Sequence, residues 1–197
     1  MAAPRKKPAT KQRPAKAPSP PEAYIIFERM IIPEQNAALL TWVTTFIQQG
    51  LKHVAVAISS PGGGVPAAFA LYNTLRGLPV HLTMHNVGMI SSAANVAFVA
   101  GDTRVAAADA SFNFHAPTVT LNGDFDVTAL RQSADDLETG EQRTRLVLAK
   151  RTGMSGSRID ALKRNSETLD VSQATELGLI STTAPFHVPE GVPTVTV

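Results

Sequence analysis

Two segments of this sequence carry side chains that could do chemistry, a serine entering a helix and a histidine closing a strand. The first lies in Gly88-Met89-Ile90-Ser91-Ser92-Ala93-Ala94, where a serine enters an Ala-rich segment. Such a serine has two uses. It can cap the helix by accepting a backbone N–H, or its hydroxyl can stand at the positive helix end, where a developing oxyanion is favoured. The second lies in Asn113-Phe114-His115-Ala116-Pro117, where a histidine closes an apolar strand before an X-Pro step. A third segment, Ser60-Pro61-Gly62-Gly63-Gly64, follows a strand and has the backbone freedom to bring N–H groups against an anion. No Gly-Lys-Ser/Thr follows it, so it is not a phosphate-binding P-loop. Taken singly, these pieces read more simply as a helix cap, a structural histidine and a flexible turn. His53, His81, His85 and His187 lack metal-ligand spacing.

The elements that must position these groups alternate along the chain. Tyr24–Phe27 is a short apolar strand, and Pro33–Gln49 is a helix with Leu39, Leu40, Val43, Phe46 and Ile47 at helical spacing. Gly50 follows as a helix stop. His53–Ile58 is a buried β-branched strand, and a helix over 66–76 and a strand over 80–84 come next. Gly88 is expected to end a turn, with a helix from Ser91/Ser92 to about Ala100. Arg104–Ala106 and Ser111–Phe114 read as strands, 127–151 as a long polar helix, and 155–163 and 172–177 as shorter helical segments. Each candidate group then sits where a strand ends, which is where open α/β sheets place their sites. Repeated strand–helix units imply an α/β fold with a mostly parallel sheet.

Composition bounds the rest. The chain has 197 residues, 44% of them apolar and 17% charged, which suits one domain with a real core. It has no cysteine, which excludes disulfides and thiolate metal sites. The net charge of +2 hides an asymmetry, because six basic residues and no acid fall in 1–21 and the remainder is net −4. That Pro/Ala-rich basic tail is too poor in large apolar groups to offset its ordering entropy, so it is expected to be disordered. Residues 22–183 are read as the folded domain and 184–197 as an irregular surface tail. The longest apolar stretches are short of a membrane span, and a cytoplasmic location is the expectation.

In order, the pieces resemble the proteolytic subunit of the Clp protease and its relatives. The family's Ser-Pro-Gly-Gly before a Tyr-bearing helix matches Ser60-Pro61-Gly62-Gly63 and Tyr72. A glycine four residues before the nucleophile selects Ser92 over Ser91. Gly101, Arg104, His115-Ala116-Pro117, Thr152-Gly153 and Glu176-Leu177-Gly178-Leu179 match in turn, so the resemblance covers roughly residues 24–182. It implies a crotonase-like, Clp-peptidase fold and serine endopeptidase activity on unfolded or small peptides. Ser92 would be the nucleophile and His115 its base, with an oxyanion hole from the Gly62-Gly63 turn and Ala93. It also implies a homo-oligomeric ring and no metal or other cofactor.

Three departures matter. The family's third triad member, an aspartate, falls on Ser166; Asn165, Glu167 and Asp170 are the neighbours that can replace it. That keeps a second reading open, a catalytically silent ring component or scaffold. Only the basic tail precedes the first strand, so the segment by which relatives meet an ATP-dependent unfoldase departs from the pattern. The long helix, which relatives use for contacts between rings, is polar enough here to read as a solvated face. A Ser-Lys dyad is the nearest enzymatic rival, and its downstream candidates Lys150 and Lys163 fall in no recognisable motif.

Overall fold

A computed structural model describes residues 20–197, so nearly all of the basic tail lies outside the described residues. The sheet is built on three parallel central strands, β1 (Ala23–Glu28), β2 (His53–Ser60) and β3 (His81–Ser91). Most of their residues are buried, β2 nearly throughout, the pattern of strands covered on both faces. Between them run α1 (Pro33–Gln48) and α2 (Val65–Gly77), each with proline in its first turn, where a missing N–H costs nothing. Leu39, Val43 and Phe46 form the buried stripe of α1, and Gly50 at φ 89° turns the chain toward β2.

β3 is longer than the sequence suggests. It does not stop before Gly88 but continues to Ser91, and it changes neighbours on the way. Its first part, Thr83–Asn86, pairs with β4 (Thr103–Ala106); its last, Met89–Ser91, pairs with β5 (Ser111–Asn113). The pairing with β2 shifts register between Ile58 and Ser60. A Cβ on Gly88 would lie 2.9 Å from Ser59 Oγ, so the glycine is the residue that lets the two strands pass. The expected helix from Ser91 is correspondingly shorter: α3 is Ala94–Phe98. Phe98 and Phe112 meet edge to face at 5.2 Å in the core.

Beyond β5 come α4 (Val127–Thr152), capped by Asp126 and ended by Gly153 at φ 83°, and α5 (Gly156–Arg164), capped by Ser155. β6 (Thr168–Leu169) runs antiparallel to β5, followed by α6 (Val171–Glu176) and β7 (Thr182–Thr183). The expected irregular C-terminal tail is corrected at its end: β8 (Thr194–Thr196) adds to β1 in parallel and covers that edge. Three prolines in the stretch mask the strand in sequence, and its partner lies about 170 residues away. The order β6-β5-β3-β2-β1-β8, with β4 beside β3 and β7 beside β4, is a mostly parallel α/β sheet.

Two arginines fasten the far end of α4. Arg104 Nε donates to Leu179 O at 2.7 Å and its Nη2 to Arg151 O and Gly178 O, both at 3.0 Å. Arg151 in turn donates to Val99 O and Gly101 O. These bonds satisfy carbonyls at helix ends that have no intrahelical partner. Arg104→Met is expected to lower unfolding free energy by about 2–4 kcal/mol. Urea denaturation is the check, and a loss below about 0.5 kcal/mol would contradict this account.

Candidate active site

β3 ends at Ser91 and α3 begins at Ala94, so Ser92 and Ala93 form the whole turn between them. Ser92 has φ 54°, in the left-handed region that L-residues avoid. The N-cap position is Ala93, so Ser92 is not used as a helix cap. A non-glycine residue held this way costs about 1–3 kcal/mol and persists only when its surroundings impose it. Here they do. Ser92 N donates to Asn113 O at 3.0 Å, Ser91 Oγ to Asn113 Oδ1 at 3.0 Å, and Asn113 Nδ2 to Thr168 Oγ1 at 2.8 Å.

His115 follows two residues after Asn113, just past the end of β5, so the strand that anchors the serine turn also leads into the imidazole. Ser92 and His115 line one cleft of about 660 Å³, with Gly63, Val65 and Pro117 on the near side and Leu137, Gly140 and Arg143 of α4 opposite. Both also line a smaller cavity of about 30 Å³, room for a water, beside Ala93, Asn95, Glu141 and Lys163. His115 Nδ1 lies 2.7 Å from Ala116 O. A carbonyl oxygen only accepts, so this contact assigns the ring proton to Nδ1 and leaves Nε2 with its lone pair.

The glycine turn abuts the serine. A Cβ on Gly62 would meet Ser92 Cβ at 2.8 Å and Ser91 O at 2.9 Å, so only a glycine fits against the turn. The three N–H groups of the turn differ. Gly62 N–H is taken by Ser60 Oγ at 3.2 Å and Gly64 N–H by Ile31 O at 3.0 Å. Among the described residues, Gly63 N–H and Ala93 N–H make no hydrogen bond, and both residues border the space next to Ser92. Gly62 thus packs against the serine with its N–H directed to Ser60, while the N–H groups of Gly63 and Ala93 are free.

None of the three neighbours of Ser166 is disposed toward the imidazole. Glu167 is held in a two-pronged pair with Arg158 at 3.0 and 3.1 Å and also accepts from Asn165 Nδ2. Those hydrogen bonds, Arg158 first, hold its carboxyl below the usual range. Asp170 is occupied in the capping box of α6. Ser166 itself has φ 51°. The β5–β6 register pairs Asn113 with Thr168, and Phe114 N donates to Glu167 O at 2.8 Å. The β5–β6 ladder ends at Asn113 and Thr168, so Ser166 and His115 lie in the segments just beyond it.

The structure also brings in groups that sequence reasoning left aside. Lys163, considered only as an unplaced dyad candidate, is 7% exposed and pairs with Glu141 at 3.0 Å in the wall of the small cavity; Lys150 does not line it. Asn95 was not singled out at all, because an asparagine inside an Ala-rich helix carries no motif.

The sequence profile described as Clp protease matches residues 23–184. ATP-dependent Clp protease proteolytic subunit 2 of Treponema pallidum is 27% identical over 132 residues, which are 66% of this chain and 65% of that protein. The chain thus aligns with just under two thirds of that relative's length. A mutant of ClpP1 from Listeria monocytogenes superimposes with a TM-score of 0.75 at 16% identity, covering 84% of this chain and 92% of the other. That likeness establishes the fold.

The strained turn has a thermodynamic signature. Ser92→Gly is expected to raise unfolding free energy by about 0.5–1 kcal/mol over Ser92→Ala, because glycine adopts φ 54° freely. Paired denaturation curves check this; equal midpoints would mean that the turn stores no strain.

Proposed function

The chain belongs to the Clp protease family, and from that premise we propose that it is a serine endopeptidase acting through Ser92 and His115. The observation that carries the reading is a serine held at positive φ in one cleft with a histidine whose Nε2 lone pair is free. Ser92 Oγ adds to a peptide carbonyl carbon as His115 Nε2 takes the hydroxyl proton. The carbonyl electron pair moves to oxygen, where Gly63 N–H and Ala93 N–H receive it; one such donor is commonly worth about 10²–10³ in rate. Collapse expels the amine, which takes the proton from His115 and leaves an ester on Ser92. Water, deprotonated by the same nitrogen, then releases the acid and restores the hydroxyl.

Ala116 O takes over one of the two duties of an orienting aspartate. It fixes the tautomer, but it brings no negative charge to stabilise the imidazolium. The peptidase is accordingly a slow one. The cleft has room for an extended peptide, consistent with unfolded or small peptide substrates. Val127, Leu130 and Leu146 are exposed on α4, and Val119, Leu121 and Phe125 lie exposed just before it, which supports a homo-oligomer assembled on this side. An ATP-dependent unfoldase partner is supported by family membership. Among the described residues no helix is long and apolar enough to cross a membrane.

A fluorescent fluorophosphonate is expected to label the wild-type protein and Ser91→Ala but not Ser92→Ala. No labelling of the folded wild type would favour the silent-scaffold reading, for which the serine at position 166 is the specific observation. Ser166→Asp, at a φ that Asp tolerates better than most residues, is expected to raise peptide turnover about 10²-fold or more. An unchanged rate would mean that position 166 does not reach His115.

A further inference from the structure

Asn95 lies one turn beyond the nucleophile, in α3, and is 1% exposed among Ala94, Val96, Ala97 and Phe98. Its Nδ2 donates to Asn113 O at 2.9 Å and to Ser92 O at 3.1 Å. Both partners are carbonyls, which only accept, so the amide orientation is unambiguous. Its Oδ1 is buried with no partner among the described residues. An apolar residue would fill the site without that unpaired acceptor. The asparagine is explicable by its two donors, and these converge on the two peptides that fix Ser92 relative to His115. Asn113 O receives Ser92 N–H and Asn95 Nδ2 together, and Ser92 O receives both the backbone N–H and the Nδ2 of Asn95.

We propose that Asn95 is a positioning residue for the nucleophile, a side-chain clamp that holds the Ser92 peptide at positive φ and locks it to the strand leading into His115. The proposal rests on the reading of Ser92 as nucleophile, yet it has a readout that needs no catalysis. Without the clamp the turn relaxes, Ser92 Oγ leaves the geometry needed for attack, and substrate still enters a cleft whose walls are unchanged. The loss therefore falls on kcat and not on KM.

The test compares the full chain with Asn95→Leu, which keeps the branching at Cγ and removes both side-chain donors, and Asn95→Ser, which keeps one hydroxyl donor. Fluorophosphonate labelling rate, peptide kcat and KM, thermal midpoint, and hydrogen exchange at the Ser92 amide are measured on each. Asn95→Leu is expected to lower labelling and kcat about tenfold or more, with KM within about twofold and Ser92 exchange about tenfold faster; Asn95→Ser falls between. Wild-type kinetics and exchange in Asn95→Leu would overturn the proposal, as would a fall in kcat matched by a rise in KM. Should Asn95→Leu fail to fold, Asn95→Ser decides on the same measurements. Should wild type not label at all, the peptidase reading fails, and Ser92 exchange alone decides whether Asn95 clamps the turn.

Discussion

In its last three residues β3 pairs with β5 instead of β4, and the site depends on that change of neighbour. Parallel strands cannot be joined by a tight turn, so two groups that follow neighbouring parallel strands must come from distant parts of the chain. Here one backbone bond, Ser92 N to Asn113 O, closes the distance between them. It lies at the carboxyl ends of both strands, where side chains emerge from the sheet into open space. The positive φ of Ser92, the bareness of Gly62 and the lone pair on His115 gain meaning only because this pairing holds. Were β3 to end at Gly88, the serine would begin an ordinary helix.

That dependence also explains which parts of the site were legible in the sequence. Gly62, Gly63, Ser92 and His115 could be found because each carries a local signal, a glycine run, a serine before alanines, a histidine before X-Pro. The continuation of β3 past Gly88 could not, since its hydrogen bonds come from Ser111–Asn113, more than twenty residues on. β8 escaped for the same reason, its partner being the first strand. The division of labour inside the glycine turn, where Gly62 packs and Gly63 keeps a free donor, depends on Ser60 and Ile31 accepting the neighbouring N–H groups. Spacing alone does not encode that. Asn95 and Lys163 were invisible because buried polar residues on helices carry no signature until their cavity is known.

The treatment of the missing carboxylate shows how a fold can preserve geometry and lose charge. Glu167 and Asp170, the acids nearest in sequence, each serve local structure, one pinning the end of α5 and one opening α6. Neither is free to turn toward His115 without dismantling an element end. Lys163 and Glu141 stand in the cavity wall as a neutralised pair and bring no net charge. What remains is a backbone carbonyl, a dipole in place of an ion. Such a dipole can orient an imidazole, but it supplies less electrostatic stabilisation than a carboxylate would.

One wall of the cleft is anchored differently from the rest. Across its 26 residues α4 buries only Leu148, yet it contributes the side facing Ser92 and His115. Between its ends it is fastened chiefly by ion pairs to α5 and by Arg143 lying 4.1 Å over the Phe69 ring, contacts that solvent competes for. An element so held opens locally at far lower free energy than the strands across from it. The width of the cleft is thus set on one side by surface contacts rather than by a packed core.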